Sequence, residues 1–364
     1  MHTNMIMGNP LKFVSHEVKL DFNNVLIVPK RSRVQSRSWV DVRREFNFNT
    51  KTSNTYRWLG VPIVSSNMDT VTGLESFEAM RDHGYISCFP KHFNKEWLIK
   101  PIEQLKHTDA YMLSCGTKED DYTTLINLID VLKDTFNIDV RFVCIDIANG
   151  YLSQLADTCK EFRQRYPKMV ITAGNVVTPE GVDALMRGGA NIIKCGIGSS
   201  SVCETRLKAG VGYPQLSAVL QCAPVAKAMG GHLMSDGGVV HPADIVKAIV
   251  AGADFVMLGT KLAGHAESPG ELIMDPKTNA WYKVFYGMAS EHAVNKFGGG
   301  MKNYRTAEGK MVKIPYKGPL NHTINDINGS LRSACTYVDA YNLEQLQENG
   351  KFVLVSQTHN TFFK

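Results

Sequence analysis

The sequence predicts an α/β fold, a closed (β/α)8 TIM barrel, and three observations carry this prediction. Eight short apolar runs recur along the chain from residue 61, and amphipathic segments with a helical period lie between them. Polar residues and glycines follow the runs, at the strand ends where a barrel builds its active site. Eight repeats favour a closed barrel over an open doubly wound sheet.

The repeating units can be read in chain order from these two patterns. The strand candidates are VPIVSSN at 61, YISCFPK at 85, AYMLSCG at 110, RFVCIDIAN at 141, MVITAGN at 169, NIIKCGIG at 191, HLMSDGG at 232 and FVMLGT at 255. Helix candidates begin near Pro, Asp or Thr and several end at Gly, and these residues are typical of helix starts and ends. They include YTTLINLIDVLKDTF at 122, LSQLADTCKEFRQRY at 152, VDALMRGG at 182 and HPADIVKAIVAG at 241.

The remaining segments fit one catalytic barrel domain over residues 1–364. Residues 1–60 precede the first strand, and we expect an N-terminal extension with short hairpins there. Residues 265–325 form a long polar insertion between the last strand and a final helix near NDINGSLRSACTYV at 325. Long loops of this kind are usually lids or binding flaps. We therefore expect a mobile flap over the barrel mouth.

Composition narrows the class of protein. The chain of 364 residues is 44% hydrophobic and 21% charged, as is ordinary for a soluble globular protein. Its net charge of +5 without a long run of Lys or Arg argues against nucleic acid or a membrane surface as partner. Eight irregularly spaced cysteines without a CxxC pair fit reduced thiols in the cytoplasm better than disulfides or zinc. No export signal or membrane span is expected.

The loop GIGSSSVCETR at 196–206 places Cys203 directly after an apolar strand. A cysteine thiolate is a strong nucleophile near neutral pH, so Cys203 is a candidate for covalent catalysis. Other strand ends carry further polar groups, namely Asn67-Met68-Asp69, Lys91-His92, Asp146, Asn175, Asp236-Gly237-Gly238 and Gly259-Thr260. No GxGxxG fingerprint follows a strand, so a Rossmann cofactor site is not predicted.

These motifs resemble those of the IMP dehydrogenase and GMP reductase family. The resemblance runs from LDFNNVLIVPKRS to SLRSACTYV and rests on NMDTV at 67, CIDIANGY at 144, TAGNVVT at 172, IKCGIGSSSVCETR at 193, GVGYPQLSAV at 210, SDGGVVHPADIVKA at 235, GADFVMLGTKLAGH at 252, FYGMASE at 285 and YRTAEGK at 304.

Three features resemble the reductase branch of this family. Only residues 92–109 separate Lys91 from the next strand, which leaves no room for the regulatory CBS domain of the dehydrogenases. The Arg-Tyr pair of the dehydrogenase flap does not occur between His292 and Thr323. NMDTV and the YRTAEGK segment with Glu308 are similar to the reductase versions of those loops.

The resemblance implies NADPH-dependent reductive deamination of GMP to IMP and ammonia, in purine interconversion. Cys203 would form a covalent thioimidate at carbon 2 of the purine, and a dyad of Thr205 and Glu308 would protonate the leaving ammonia. Two alternatives are an IMP dehydrogenase without its regulatory domain and a non-catalytic sensor of purine nucleotides.

The resemblance also implies the binding residues. Asp236 would bind the ribose hydroxyls, and the 5′-phosphate would be held by Ser201, Gly238, Gly259 and Thr260. The base would be framed by Gly287, Met288, Ala289, Arg305, Thr306, Ala307 and Gly309, and Gly237 would also contact the substrate. NADPH would contact Ser36, Arg37, Lys91, Asp146, Ile147, Ala148, Ile197, Gly198, Tyr304, Ser333, Ala334, Cys335 and Thr336. A potassium ion would be held at Gly198, Ser200, Cys203 and Arg206. A homotetramer with NADPH sites near the subunit contacts is expected.

The catalytic loop departs from the family pattern. The family reads Gly-Pro-Gly-Ser where this chain has Gly198-Ser199-Ser200-Ser201. Glycine often adopts a positive φ that serine reaches only at a cost of roughly 1 kcal/mol, so we expect strain in the loop and its cation site. Glu204 replaces a common threonine, and we expect its carboxylate to point away from the thiol because it would otherwise raise the thiol pKa.

Overall fold

Eight parallel strands close on one another in chain order, so the predicted (β/α)8 barrel is confirmed. The structure is a computed structural model that describes residues 17–49, 55–92, 102–297, 299–304 and 306–356. The strands are β1 (Val25–Ile27), β2 (Arg44–Phe48), β3 (Tyr56–Gly60), β4 (Ile63–Ser65), β5 (Ile86–Cys88), β6 (Tyr111–Cys115), β7 (Phe142–Asp146), β8 (Val170–Val176), β9 (Ile192–Cys195), β10 (His232–Asp236), β11 (Phe255–Leu258), β12 (Leu272–Met274), β13 (Trp281–Tyr286), β14 (Met311–Pro315) and β15 (Phe352–Leu354).

Strands β4 to β11 form the barrel, and each overlaps one of the eight predicted runs. The ring is closed by β11 and β4, where Val256 lies opposite Ile63. Among the described residues, the α-helices are Leu74–Arg81, Ile102–Lys106, Glu119–Phe136, Ser153–Arg165, Pro179–Arg187, Thr205–Lys208, Gln215–Ala228, Pro242–Val250, Glu291–Phe297, Leu320–Tyr337 and Leu343–Asn349. The four helices expected from periodicity are among them.

The apolar runs are continuous because barrel strands are buried on both faces. In β7, Phe142 and Cys144 belong to the cluster inside the barrel, whereas Val143 and Ile145 pack against the helices. All four side chains are fully buried. Successive strand residues thus alternate between two cores, and the polar residues remain for the strand ends.

A hairpin of the N-terminal segment covers one end of the barrel. Strands β2 and β3 pair antiparallel, with Phe46 opposite Trp58. The Phe46 ring lies 4.3 Å from that of Phe255, and the Phe48 ring lies 5.6 Å from that of Phe142. Phe142 and Phe255 begin their strands, so the hairpin covers the amino-terminal end. The catalytic loops must therefore lie at the opposite end, the mouth.

The insertion after β11 is folded, not a structureless loop. Strands β12, β13 and β14 form an antiparallel sheet, and the helix Glu291–Phe297 lies between β13 and β14. The final helix begins at Leu320, inside the interval expected for the insertion. Pro319 precedes it in an extended conformation, and the Leu320 backbone N–H donates to Glu267 over 2.8 Å.

Two lysines join the base of this insertion to the turn that follows β11. Lys283 Nζ donates to the Ser268 carbonyl over 2.5 Å. Lys317 Nζ donates to the carbonyls of Thr260 and Ala263 over 2.6 and 2.8 Å. Burial lowers the pKa of Lys317 to about 8. The base of the insertion is therefore bonded to the barrel, and the part beyond Tyr286 reaches the mouth.

All eight cysteines are free thiols, and seven of them are buried; Cys203 is half-exposed. Within the described ranges, no helix has the length and apolar character needed to span a bilayer.

Candidate active site

The cysteine loop leaves β9 and is bonded to the neighbouring strands. Gly198 adopts a φ of +78°, a conformation that favours glycine. Ser199 Oγ donates to Gln215 Oε1 over 2.8 Å, and Gln215 Nε2 donates to the Cys195 carbonyl over 2.7 Å. Gln215 is fully buried. The hydroxyl of Ser199 therefore holds the loop against a side chain that is itself fixed to the end of β9.

The expected strain at the two serines is wrong. In the part of the chain that the structure describes, the non-glycine residues with a positive φ are Asn137, Asn279 and Asp339. Ser199 and Ser200 are not among them. In the cysteine loop the positive φ angles belong to Gly196, at +153°, and Gly198, at +78°, so the serines occupy ordinary conformations.

The thiol, a hydroxyl and a carboxylate form a hydrogen-bonded series at the mouth. Cys203 Sγ donates to Thr205 Oγ1 over 3.2 Å, and Thr205 Oγ1 donates to Glu308 Oε2 over 2.8 Å. Glu308 comes from the insertion, 103 residues further along the chain. The structure thus brings together the three residues predicted to be catalytic, in an order that could carry a proton away from the sulfur.

Backbone bonds hold the insertion against the cysteine loop. The Glu204 N–H donates to the Glu308 carbonyl over 2.6 Å, and the Lys310 N–H donates to the Val202 carbonyl over 3.0 Å. Cys203 and Gly309 form an antiparallel bridge. Glu204 lines a surface groove with Lys208 and Lys310, and Cys203 does not line that groove.

The residues predicted to frame the purine adjoin this contact. The Gly287 N–H donates to the Lys310 carbonyl over 3.1 Å, and the Glu308 N–H donates to the Ala289 carbonyl over 3.2 Å. Gly309 bridges to Ser290 as well as to Cys203. Met288, Thr306 and Ala307 belong to the same two segments, and Arg305 lies outside the described residues.

The predicted phosphate residues meet at the ends of β9, β10 and β11. Ser201 Oγ and Thr260 Oγ1 lie 2.6 Å apart. Gly237 has a φ of +98°, and a Cβ at this position would lie 2.4 Å from Ser199 Oγ. The Gly238 N–H already donates to the Ser199 carbonyl over 2.9 Å. Without ligand the Gly238 amide therefore closes the loop, and its role as a phosphate donor stays a prediction.

A buried lysine joins two of the predicted ligand-binding carboxylates. Lys194 Nζ lies 2.9 Å from Asp146 Oδ1 and 3.3 Å from Asp236 Oδ2. Burial alone would lower the pKa of Lys194, but the two carboxylates outweigh burial and hold its pKa well above the usual value. Burial would likewise raise the pKa of Asp146, and Lys194 and Asn67 keep it lowered. The lysine within the apolar run NIIKC was the signal for this residue, and the sequence prediction missed it.

A second group that the sequence prediction missed anchors the helix of the insertion. Asp69 accepts hydrogen bonds from Tyr286 Oη and from Lys296 Nζ, the latter over 2.8 Å. The His92 ring stacks on Phe297 with centroids 3.9 Å apart. Burial, and then the charge of Lys91, lowers the pKa of His92. The ends of β4 and β5 thereby hold the helix Glu291–Phe297 over the mouth.

The predicted NADPH residues fall into two separate groups. The first group lies at or above the mouth and contains Lys91, Asp146, Ile147, Ala148, Ile197, Gly198 and Tyr304. In this group Lys91 Nζ pairs with Asp121 over 2.6 Å, and Tyr304 is 86% exposed on the insertion.

The second group lies at the opposite end of the barrel. The short helix Arg37–Trp39, which Ser36 caps, packs against the helix Leu320–Tyr337, which carries Ser333, Ala334, Cys335 and Thr336 near its end. The Tyr337 carbonyl accepts from the Lys30 N–H over 2.9 Å. Arg44 of the hairpin binds both Asp254, just before β11, and Glu344, just after this helix. The Cys335 side chain is fully buried, so a contact of this residue with NADPH would have to use its backbone.

The residues predicted to hold a cation offer backbone carbonyls. The Ser200 carbonyl accepts from the Cys203 N–H over 3.1 Å, and the Arg206 guanidinium donates to the Tyr213 carbonyl over 2.7 Å. The described segments contain no group of three or more His, Cys, Asp or Glu residues able to hold a metal. A site here would depend on carbonyl oxygens, the donors that hard cations accept.

Comparison with known proteins identifies related chains over nearly the whole length. Residues 19–361 match the family model described as the IMP dehydrogenase / GMP reductase domain. The chain is 45% identical to GMP reductase 2 of Homo sapiens over 354 residues, which cover 96% of this chain and 98% of the human protein. It is 43% identical to the GMP reductase of Shewanella pealeana, with 96% and 99% covered, and 44% identical to the GMP reductase of Caenorhabditis elegans, with 96% of each covered.

Proposed function

Since the chain belongs to the IMP dehydrogenase / GMP reductase family, we propose that it converts GMP to IMP and ammonia with NADPH in purine interconversion. The observation that carries the proposal is the series Cys203–Thr205–Glu308, with distances of 3.2 and 2.8 Å. It places a proton acceptor two hydrogen bonds from a nucleophilic sulfur, as amine displacement requires.

The first half of the reaction exchanges an amine for sulfur. A bond forms between Cys203 Sγ and carbon 2 of the guanine, the bond from carbon 2 to the amino nitrogen breaks, and a thioimidate remains. The thiol proton passes through Thr205 to Glu308 and then to the departing amine, which leaves as ammonia. Atoms and charge balance in this step without any further reactant.

The second half of the reaction reduces the thioimidate and regenerates the free Cys203 side chain. NADPH, when bound, would supply a hydride to carbon 2; the bond from carbon 2 to sulfur would break, IMP would be released, and Cys203 would be left as a thiolate that takes up a solvent proton to restore the thiol. Side chains at the barrel mouth suit the two ligands. Asp146 and Lys91 would provide polar contacts to NADPH, and Asp236 would accept hydrogen bonds from the ribose hydroxyls of GMP. Closure of the insertion by Lys296 and Asp69 would exclude water, which competes with hydride for the thioimidate.

We further propose a homotetramer whose NADPH sites are shared between subunits. The separation of the cofactor residues supports this proposal, because Arg37 and the end of the helix Leu320–Tyr337 lie at the closed end of the same barrel that carries Cys203 at its mouth. A second copy could bring its own Arg37 to the mouth. We also propose that a cation binds the carbonyls of Gly198 and Ser200. The eight free thiols support a cytoplasmic location.

The activity is tested by mixing the protein with GMP and NADPH. We expect loss of the reduced nicotinamide absorbance and release of ammonia in equal amounts. Formation of XMP from IMP and NAD⁺ instead would identify a dehydrogenase, and GMP binding without turnover would identify a sensor. Either result overturns the proposal.

The role of the sulfur is tested by Cys203→Ala. We expect this variant to lose turnover and keep its affinity for GMP, whereas Cys159→Ala, which changes a buried cysteine outside the site, keeps both. Intact mass spectrometry of the wild-type protein with GMP should show a nucleotide adduct that Cys203→Ala lacks.

The shared cofactor site is tested by mixing two inactive or weakened subunits. Arg37→Ala should raise the KM for NADPH, and Cys203→Ala should abolish turnover. In hybrids of the two, a site that combines the cysteine of one subunit with the arginine of the other should regain the wild-type KM. Failure of every hybrid ratio to do so would refute sharing.

A further inference from the structure

One ammonium group lies between two carboxylates in the upper part of the barrel. Lys194 is 2% exposed and projects from β9, with its Nζ 2.9 Å from Asp146 and 3.3 Å from Asp236. A Cβ on Gly174 of β8 would lie 2.5 Å from the Cβ of Lys194. Glycine at 174 therefore gives the lysine stem the space it needs beside the neighbouring strand.

The two carboxylates end different strands and serve different sides of the mouth. Asp146 ends β7 and belongs to the proposed cofactor side, whereas Asp236 ends β10 and belongs to the proposed ribose side. Asn67 Nδ2 donates to Asp146 Oδ2 over 2.8 Å, and Asn175 Nδ2 donates to Asp236 Oδ2 over 2.8 Å. Each carboxylate is thus fixed by one amide and by the shared lysine.

This arrangement leaves one acceptor free toward the ribose. Within the described ranges, Asp236 Oδ2 accepts a hydrogen bond from Asn175 and lies 3.3 Å from Lys194 Nζ, whereas Asp236 Oδ1 has no hydrogen-bond donor. A carboxylate that shares its counterion with a second carboxylate keeps more negative charge for a further donor than one that holds the counterion alone. The strength of Asp236 as an acceptor therefore depends on how firmly Asp146 holds Lys194.

We propose that Lys194 is a positioning residue that couples Asp146 on the cofactor side to Asp236 on the ribose side, so that a change at one carboxylate alters ligand binding at the other. The inference rests on the proposed function, since it assigns the ribose hydroxyls of GMP to Asp236. It predicts an effect between two carboxylates that have no direct contact.

The variant that tests the coupling is Asp146→Asn, which keeps the side-chain shape and removes one charge. Lys194 then interacts with Asp236 alone, and Asp236 becomes a weaker acceptor. The measured quantity is the ratio of kcat/KM for GMP to that for 2′,3′-dideoxy-GMP, which isolates the ribose hydroxyls. We expect this ratio to fall by about tenfold, which is less than the full contribution of a hydrogen bond to a charged group because the bond is weakened and not removed.

The matched control is Lys91→Met. This change removes a charge on the cofactor side, at an ion pair with Asp121, without touching Lys194. We expect it to raise the KM for NADPH and to leave the hydroxyl ratio at the wild-type value. Lys194→Arg keeps the charge and changes the geometry, so it should lower the ratio while thermal unfolding confirms that the barrel is intact.

The coupling is refuted if Asp146→Asn weakens NADPH binding and leaves the hydroxyl ratio unchanged. It is also refuted if Lys91→Met lowers the ratio as much as Asp146→Asn does, because the effect would then not pass through Lys194. A wild-type protein that does not reduce GMP at all would instead refute the proposed function, so the two failures are distinguishable.

Discussion

The hydroxyl of Thr205 connects the thiol to the carboxylate, and its removal is the sharpest test of the proton path. Thr205→Val keeps the side-chain shape and deletes two hydrogen bonds, at 3.2 Å to Cys203 and 2.8 Å to Glu308. At about 1 kcal/mol per bond, the structural cost is at most about 2 kcal/mol. Loss of positioned proton transfer typically costs 10²–10⁴-fold in rate, or about 3–5 kcal/mol of barrier.

The loss of positioned proton transfer thus costs more than the loss of the two hydrogen bonds, so the size of the fall in kcat distinguishes the two effects. We expect kcat of Thr205→Val to fall by about 10³-fold while the affinity for GMP stays within about threefold of the wild type. The assay is the decrease in reduced nicotinamide absorbance, with GMP affinity measured by calorimetry. Thr205→Ser retains the hydroxyl and should keep most of the rate. A valine variant that turns over like the wild type, or a serine variant as slow as valine, would refute the proton path.

Three further changes test other parts of the molecule. Ser200→Gly should lower the free energy of unfolding by up to about 1 kcal/mol in urea titrations, because Ser200 does not need a positive φ and glycine only adds freedom to the unfolded chain. Arg163→Met should lower it by about 3 kcal/mol, because the buried guanidinium donates to the carbonyls of Met169 and Gly189 and these acceptors would be left unpaired. The pKa of Lys317 is about 8 in the folded chain, whereas the ordinary pKa of a lysine is 10.5, so the unfolded state binds more protons between these two pH values. The stability of the wild type relative to Lys317→Met should therefore rise from pH 8 to pH 10 in the same titrations.

Each of these has a result that would contradict it. A stabilised Ser200→Gly would mean that the serine is strained after all. An Arg163→Met protein as stable as wild type would show that water satisfies the freed carbonyls. A stability difference at Lys317 that is flat or falls with pH would mean that burial does not lower its pKa.

The barrel could be predicted because its strands are buried on both faces and read as unbroken apolar runs. Phe142 to Ile145 are all buried, which made β7 visible without any alternation. The fold of the insertion could not be predicted in the same way. Its strand β12 is short and partly exposed, with Leu272 42% and Met274 46% accessible, so no hydrophobic period marks it.

The site residues also fall into those with a local signal in the sequence and those whose role depends on the folded barrel. Cys203 and the glycines of the strand ends could be predicted because loops rich in small residues directly follow the apolar strands. The role of Lys194 was missed because it depends on Asp146 and Asp236, which are distant in the sequence. Only the order of the strands in the barrel brings these carboxylates to the lysine. The bond from the Gly238 amide to the Ser199 carbonyl could not be predicted, because the two residues lie 39 positions apart in the sequence and only the folded barrel brings them together.

The bonds of Lys283 and Lys317 to the turn after β11 divide the insertion into a fixed base and a catalytic tip. A fluorescent label placed near Lys302 would travel with Glu308, whereas one on the turn at Lys277, between β12 and β13, would remain with the barrel. Energy transfer between two such dyes would therefore act as a ruler for the approach of the carboxylate to the thiol, read in real time during turnover.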